Sequence, residues 1–388
     1  VKLLHVIPSV GPLRGGPSQI VLDMCARLAT AGLDVTLATT NDNGPGHLNV
    51  PLETPIQQDG YIIIYFRRTA REYTFSWAIT GWLARHSADY DFVHVHAAFS
   101  YTATITPILA RLRSVPYAVT PHGILGRWGL QARRSLAKRL SIALVERPAL
   151  NHARFVHATS ALEARELQAQ GLRAPLEVIH LGIDVPPQDH YPPADREQVF
   201  PGQQGRTIVL FLGRFHPKKG LDLLLSALAR AAVQQPDLIL ALAGDGDPSY
   251  VAWLRDEVCR LNIEDRVFWM GFLRSEEKHA ALAHCDIFAL PSYSESFGVS
   301  VAEAMLYAKP VLISDQVAIA EVIEAAKAGL VRPCSVESFA DGLLQLARNP
   351  ALRDALGLRA AQLAQEEFSM AVMADRLMHA YERYSATP

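Results

Sequence analysis

The chain has 388 residues, 49% hydrophobic and 20% charged, with a formal net charge of −2. This length exceeds one ordinary core, so two domains are expected, and the apolar content excludes a disordered chain. The balanced charge gives no global attraction to nucleic acid, and no apolar run reaches the length of a membrane span.

The run Leu3-Leu-His-Val-Ile7 is too short for a secretory apolar region and reads as a first strand. A helix is expected from Pro17 to Ala31, with Pro at its start and Gly32 just past its end. Val35 to Ala38 then completes a strand–helix–strand unit. Further strands are expected at Tyr61–Phe66, Phe92–His96, Tyr117–Thr120, Phe155–Ala158 and Glu177–His180. The proline-rich run from Val185 to Asp195 reads as a linker. A second alternating series starts at Thr207–Leu212. It continues through a helix over Leu221–Val233 and strands at Leu238–Ala243, Val267–Met270, Ile287–Leu290 and Pro310–Ile313. Two such arrays predict an α/β protein of two doubly wound parallel-sheet domains facing a cleft. The expected boundaries are 1–185, a linker at 186–205, and 206–369, with a return helix in 370–388 that joins the first domain. Cys25, Cys259, Cys285 and Cys334 form no CxxC pair and read as buried, reduced thiols of a cytoplasmic protein.

The richest motif lies late in the chain. Glu295 and Glu303 sit eight positions apart around Ser296-Phe-Gly298, between a buried strand and a helix over Val299–Ala308. Glu303 has apolar neighbours, where a carboxylate is costly unless paired. A hydroxyl-rich ligand would satisfy both acids, and the helix N-terminus between them suits a phosphate. In Gly213-Arg-Phe-His-Pro-Lys-Lys-Gly220, Arg214 and Lys219 can reach a shared anion, the neutralisation a diphosphate leaving group requires. A solvated basic turn explains the same residues equally well. Gly15 and Gly16 precede the first helix and would admit a phosphate to backbone N–H groups; an ordinary loop is the alternative.

His122, after the strand ending at Thr120, either faces the cleft or caps the next helix. His94 and His96 share a strand face, a spacing that can bind metal. No third ligand is evident, so they read as buried hydrogen-bonded rings. Asp89-Tyr-Asp91 and Asp245-Gly-Asp247 match an Asp-x-Asp metal–nucleotide pattern but sit at turns, and both read as structural. The basic stretch 126–154, from Gly126 and Arg127 to Arg154, with Glu146 its one acid, reads as a solvated face or an anionic-lipid contact.

Taken together, these motifs resemble family 4 glycosyltransferases of the GT-B architecture over nearly the whole chain. Glu295 to Glu303 matches the family's E-x7-E motif, and Arg214 with Lys219 its Gly-Arg…Lys-Gly motif. The run from Pro121 to Trp128 resembles bacterial exopolysaccharide enzymes, among them a cyanobacterial heterocyst-envelope glycosyltransferase. The resemblance implies retaining transfer of a hexose from a nucleotide-diphosphate sugar, UDP-glucose first and GDP-mannose second. The implied acceptor is a saccharide or lipid-linked saccharide. Glu303 would bind the ribose. Glu295, with backbone at Ser296, Phe297 and Gly298, would bind the donor sugar. Arg214 and Lys219, joined by amides near Gly16 and Val299, would hold the diphosphate. His122 would contact sugar and anomeric phosphate, and Phe272 and Leu273 would flank the base. No metal is implied, nor any nucleic-acid partner. The implied location is the cytoplasm, at the inner face of the plasma membrane if 126–154 touches lipid. A UDP-sugar 2-epimerase and a non-catalytic sugar-nucleotide sensor are the rival readings. An NAD-dependent oxidoreductase would need a dinucleotide fingerprint that Gly11 to Gly16 lacks.

Overall fold

The computed structural model describes residues 1–123, 141–184 and 195–385. The chain divides into two compact units, Val1–Gly182 with Ser369–Pro388, and Ile183–Phe368. Each is a wound α/β layer structure.

The first unit is built on β1 (Lys2–Ser9), β2 (Asp34–Thr40), the two-residue pair β3 (Asp42–Asn43) and β4 (Gly46–His47), β5 (Pro55–Gln58), β6 (Tyr61–Phe66), β7 (Phe92–His96), β8 (Tyr117–Thr120), β9 (Phe155–Ala158) and β10 (Leu176–Val178). Its main sheet has the order β10-β9-β8-β7-β1-β2-β6-β5. All neighbours in it are parallel except β5, which pairs antiparallel with β6. That departure from a purely parallel sheet is confined to the edge, where Pro55 needs no ladder partner for its missing N–H. The strands read as near-continuous apolar runs because helices cover both faces; Phe92–His96 is buried at every position. The order reverses between β1 and β7, so the loops after these strands diverge and leave a crevice at their C-terminal ends.

The last helix, Met370–Ser385, belongs to this unit. It packs beside the first helix, Gly16–Thr30, and its Tyr381 is buried against Phe92 and Phe155.

The second unit contains β11 (Thr207–Leu212), β12 (Leu238–Ala243), β13 (Val267–Gly271), β14 (Ile287–Leu290), β15 (Val311–Ser314) and β16 (Leu330–Arg332). They form one parallel sheet in the order β13-β12-β11-β14-β15-β16, with the reversal between β11 and β14. Both charged motifs follow these two central strands, and topology alone brings their loops together. The proline-rich run at 185–194 lies outside the described residues. The short helix Arg196–Val199 beyond it is capped by Asp195 and tied to Asp286 through Arg196. The cysteines are all unpaired; Cys25 and Cys285 are buried as expected, whereas Cys334 is only partly buried and Cys259, near the end of its helix, is exposed.

Both Asp-x-Asp runs are structural. Asp91 accepts from the Lys2 amide at 2.7 Å, and Asp247 caps the helix Pro248–Arg260.

Candidate active site

In the second unit the loop after β11 rises through Arg214 and a short turn over Pro217–Lys219 into the helix Leu221–Ala232. Gly220 ends that turn at φ 71°, with the carbonyl of Pro291 so near that a Cβ would approach it to 2.2 Å. The Tyr293 amide donates to the Lys218 carbonyl at 2.9 Å. These contacts hold the loop after β14 against the loop after β11. Glu295 is fixed further by two backbone bonds to the loop after β15: its amide donates to the Gln316 carbonyl, and its carbonyl accepts from Ala318, each at 3.0 Å. Lys219 and Glu295 thereby meet in a hydrogen-bonded ion pair. Arg214 is exposed beside them in the same loop.

Glu303 lies in the helix Val299–Leu306, whose Val301, Ala302, Ala304 and Met305 are buried. The partner its apolar setting requires is Lys278, whose Nζ lies 2.6 Å from Glu303 Oε1. Lys278 belongs to the helix Ser275–His284 and to no motif, so the linear sequence carries no signal for it. Gly298 precedes the Glu303 helix at φ 102°, a conformation that glycine tolerates. The first N–H groups of that helix have no intrahelical acceptor. Ser296 and Val299 are partly exposed there. Phe297 is buried, with its ring turned into the core against Phe368. Phe272 is 77% exposed after β13, and Leu273 beside it is half-buried.

In the first unit, Gly15 and Gly16 are exposed at the start of the helix Gly16–Thr30. Arg14 clamps the loop, its Nε 2.6 Å from Asp42 Oδ2, and Arg68 pairs with the other oxygen. Burial opposes ionisation of Asp42, but the hydrogen bonds from Arg14 and Arg68 outweigh it and hold the carboxyl below its usual range. Asp42 lies just past the C-terminal end of β2, the end of a parallel sheet at which ligands bind.

His122 is buried at φ 55°, and Gly123 follows at φ 70°. The Gly123 amide donates to Glu163 Oε1 at 2.6 Å, while Glu163 Oε2 accepts from the amide and hydroxyl of Thr159, each at 2.7 Å. His122 Nε2 lies 3.3 Å from His96 Nδ1. Its ring is a member of a polar layer, and the start of the next helix, which it was alternatively expected to cap, lies outside the described residues. Residues 124–140, including Arg127 and Trp128, lie outside the described residues. Of the basic stretch, Arg147 is exposed, whereas Glu146 is buried and accepts from the Phe99 amide at 3.1 Å.

His94 and His96 do have a third ring beside them, contrary to the sequence expectation. His5 of β1 pairs in register with His94, and the three offer nitrogens within 4.8 Å of one another. Strand pairing, invisible in a linear pattern, brings it there. Hydrogen bonds engage most of these ring nitrogens, although His5 Nε2 has no partner among the described residues. His94 meets Tyr381 at 2.6 Å and Thr120 at 2.7 Å, and His5 Nδ1 lies 2.8 Å from His96 Nε2. Two nitrogens on one tetrahedral ion would stand about 3.3 Å apart.

The profile "Glycosyl transferases group 1" matches residues 195–363, and "Glycosyl transferase 4-like domain" matches residues 15–182. The chain is a GT-B glycosyltransferase related to family 4. It is 28% identical over 312 residues to the phosphatidyl-myo-inositol mannosyltransferase of Mycobacterium tuberculosis, covering 78% of this chain and 75% of that one. It is 26% identical to the α-D-kanosaminyltransferase of Streptomyces kanamyceticus, covering 74% and 76%. Among solved structures, Anabaena HepE in complex with UDP and glucose aligns with a TM-score of 0.77 at 21% identity, over 98% of this chain and 99% of that one. The sucrose-phosphate synthase of Thermosynechococcus elongatus aligns with a TM-score of 0.79 at 23% identity over the full length of both.

Proposed function

We propose that this glycosyltransferase moves a hexose, with retention, from UDP-glucose to a saccharide or lipid-linked saccharide in envelope or exopolysaccharide synthesis. The observation that carries the reading is the pair of ion pairs, Lys219–Glu295 and Lys278–Glu303, flanking the N-terminus of one short helix at the switch point of the second unit. Each acid keeps one carboxylate oxygen for a ligand hydroxyl. Glu303 takes the ribose, Glu295 the donor sugar, and the helix N-terminus with Arg214 and Lys219 the diphosphate. Phe272 and Leu273 flank the base; Gly15, Gly16 and His122 serve the donor from the first unit. The bond from anomeric carbon to phosphate oxygen breaks with its electron pair on the diphosphate, where the two cations neutralise the charge. The acceptor oxygen bonds the same face and passes its proton to the leaving diphosphate. Two fixed cations make a metal unnecessary in this scheme.

The HepE structures, with UDP and with UDP-glucose, support UDP-glucose as donor; the mannosyltransferase relatives support a mannose donor as the second choice. No helix among the described residues is long and apolar enough to cross a membrane. The reading places the enzyme in the cytoplasm, with lipid met peripherally through the basic stretch 126–154.

Proton NMR of the product mixture tests the reading. A new α-glycosidic linkage from UDP-glucose is expected, and a C2-inverted free sugar would instead establish an epimerase. Slow UDP-glucose hydrolysis that vanishes in Lys219→Ala is expected of a transferase; none in the parent enzyme would favour a sensor.

A further inference from the structure

Five buried histidines line one face of the first unit's sheet: His5 on β1, His94 and His96 on β7, His122 after β8, and His157 on β9. Hydrogen bonds sort them into two chains. One chain is oriented by a carbonyl. Ile179 O only accepts, so His157 donates to it from Nε2 at 2.7 Å. His157 Nδ1 then accepts from Thr120 at 2.9 Å, Thr120 accepts from His94 Nε2, and His94 Nδ1 accepts from the Tyr381 hydroxyl. Every nitrogen of that chain has a partner within the fold.

The other chain has open ends. His5 Nδ1 meets His96 Nε2 at 2.8 Å, and His96 Nδ1 meets His122 Nε2 at 3.3 Å. The rings of His5 and His96 stack 5.1 Å apart, and those of His96 and His122 5.5 Å apart. His5 Nε2 and His122 Nδ1 are buried with no hydrogen-bond partner among the described residues. Burial holds His5 and His122 down to about 3, and His96 well below its ordinary value, so all three rings are neutral near pH 7. A neutral imidazole has one donor and one acceptor. Each bond in the chain needs one of each, so the three tautomers are locked together: all carry the proton on Nδ1, or all on Nε2.

We propose that His5 and His96 are positioning residues that set the tautomer of His122, presenting an Nδ1–H donor to an oxygen of the bound donor substrate. This rests on the reading of His122 as a donor-contacting group. The direction follows from the ends. With every proton on Nδ1, the buried end at His5 is an unpaired acceptor, and the N–H at His122 gains the ligand oxygen. The reverse direction leaves a permanently orphaned N–H at His5, the less tolerated of the two defects. The chain starts on β1 and crosses to β7, the two strands at the switch point of the sheet.

The test is nitrogen NMR of histidine-labelled enzyme with UDP and glucose at pH 7.5. Protonated Nδ1 and bare Nε2 are expected at His5, His96 and His122; an Nε2–H form or an imidazolium at any of them overturns the proposal. Metal analysis of the purified protein is expected to find no stoichiometric zinc; zinc held by His5, His94 and His96 would overturn it too. In kinetics, His5→Leu is expected to lower kcat about tenfold while donor KM stays within about twofold. His5→Asn keeps an N–H near the Nδ1 position and should restore most of that loss. A folded His5→Leu with parental kcat overturns the relay even where His122→Ala is impaired. If His122→Ala is itself fully active, the underlying reading of His122 fails instead. Should His5→Leu not fold, the NMR arm on the unaltered protein decides.

Discussion

Removing the Glu303 carboxylate in Glu303→Ala should weaken UDP binding by about 1–3 kcal/mol, the cost of a charged hydrogen bond, or roughly 5–150-fold in Kd. The structure sharpens this through Lys278. Its Nζ sits on Oε1 at 2.6 Å, with the two side chains 28% and 14% exposed, so the pair is only partly screened by water. Lys278 is the charge partner on Oε1, which leaves Oε2 for the proposed ribose hydroxyl. Lys278→Met should therefore cost binding too, about 0.5–1.5 kcal/mol, although the lysine itself need not touch the nucleotide. If it acts only through Glu303, adding Lys278→Met to Glu303→Ala should change Kd by no more than about 0.3 kcal/mol, the usual error of additivity. Calorimetric titration with UDP of the parent, both single variants and the double variant closes the cycle, with melting curves to confirm folding. An unchanged Kd in folded Glu303→Ala would remove Glu303 from the nucleotide site. Full additivity would show that Lys278 binds the ligand independently.

The neutral histidine layer predicts acid sensitivity. Burial lowers these rings in the folded state, so the unfolded chain takes up protons first, below its ordinary value of about 6.5. Stability is fully present above that pH and is lost as pH falls toward about 3 for His5 and His122. Each ring contributes a loss of up to about 1.4 kcal/mol per pH unit, so melting temperatures should drop steeply from pH 7 to 5; a flat profile would contradict the burial argument. Gly298→Ala places a Cβ at φ 102° and 3.0 Å from Val317 Cγ1. It should cost at least about 1 kcal/mol of stability and weaken UDP binding by disturbing the helix start, and parental values for both would refute this. Transfer activity should persist in EDTA, and a complete loss restored by Mn²⁺ would replace the two-cation scheme with a metal-assisted one.

Much of this protein is legible in one dimension. The strands Tyr61–Phe66, Phe92–His96, Thr207–Leu212 and Leu238–Ala243 occupy the residues their apolar runs mark out, because buried parallel strands must be apolar on both faces. The Arg214–Lys219 and Glu295–Glu303 motifs are visible because each is a local loop-to-helix unit whose residues are close in sequence. What escapes is short or distant. Pro55–Gln58 and Leu330–Arg332 gain their strand character from a neighbour, not from their own pattern. Lys278 meets Glu303, Asp42 gathers Arg14 and Arg68, and Tyr381 reaches back to His94, each through pairings that only folding makes.

The His5–His96–His122 chain shows the division most plainly. The residues themselves, and the shared face of His94 and His96, follow from sequence and strand periodicity. That His5 joins them depends on β1 lying beside β7, a long-range pairing determined by the winding of the whole sheet. Sequence determined two wound domains and the charged motifs at their strand ends, because those properties are local. Which charge meets which, and which imidazole orients which, only the tertiary structure decided, because hydrogen bonds and ion pairs act over a few ångströms of space whatever the separation along the chain.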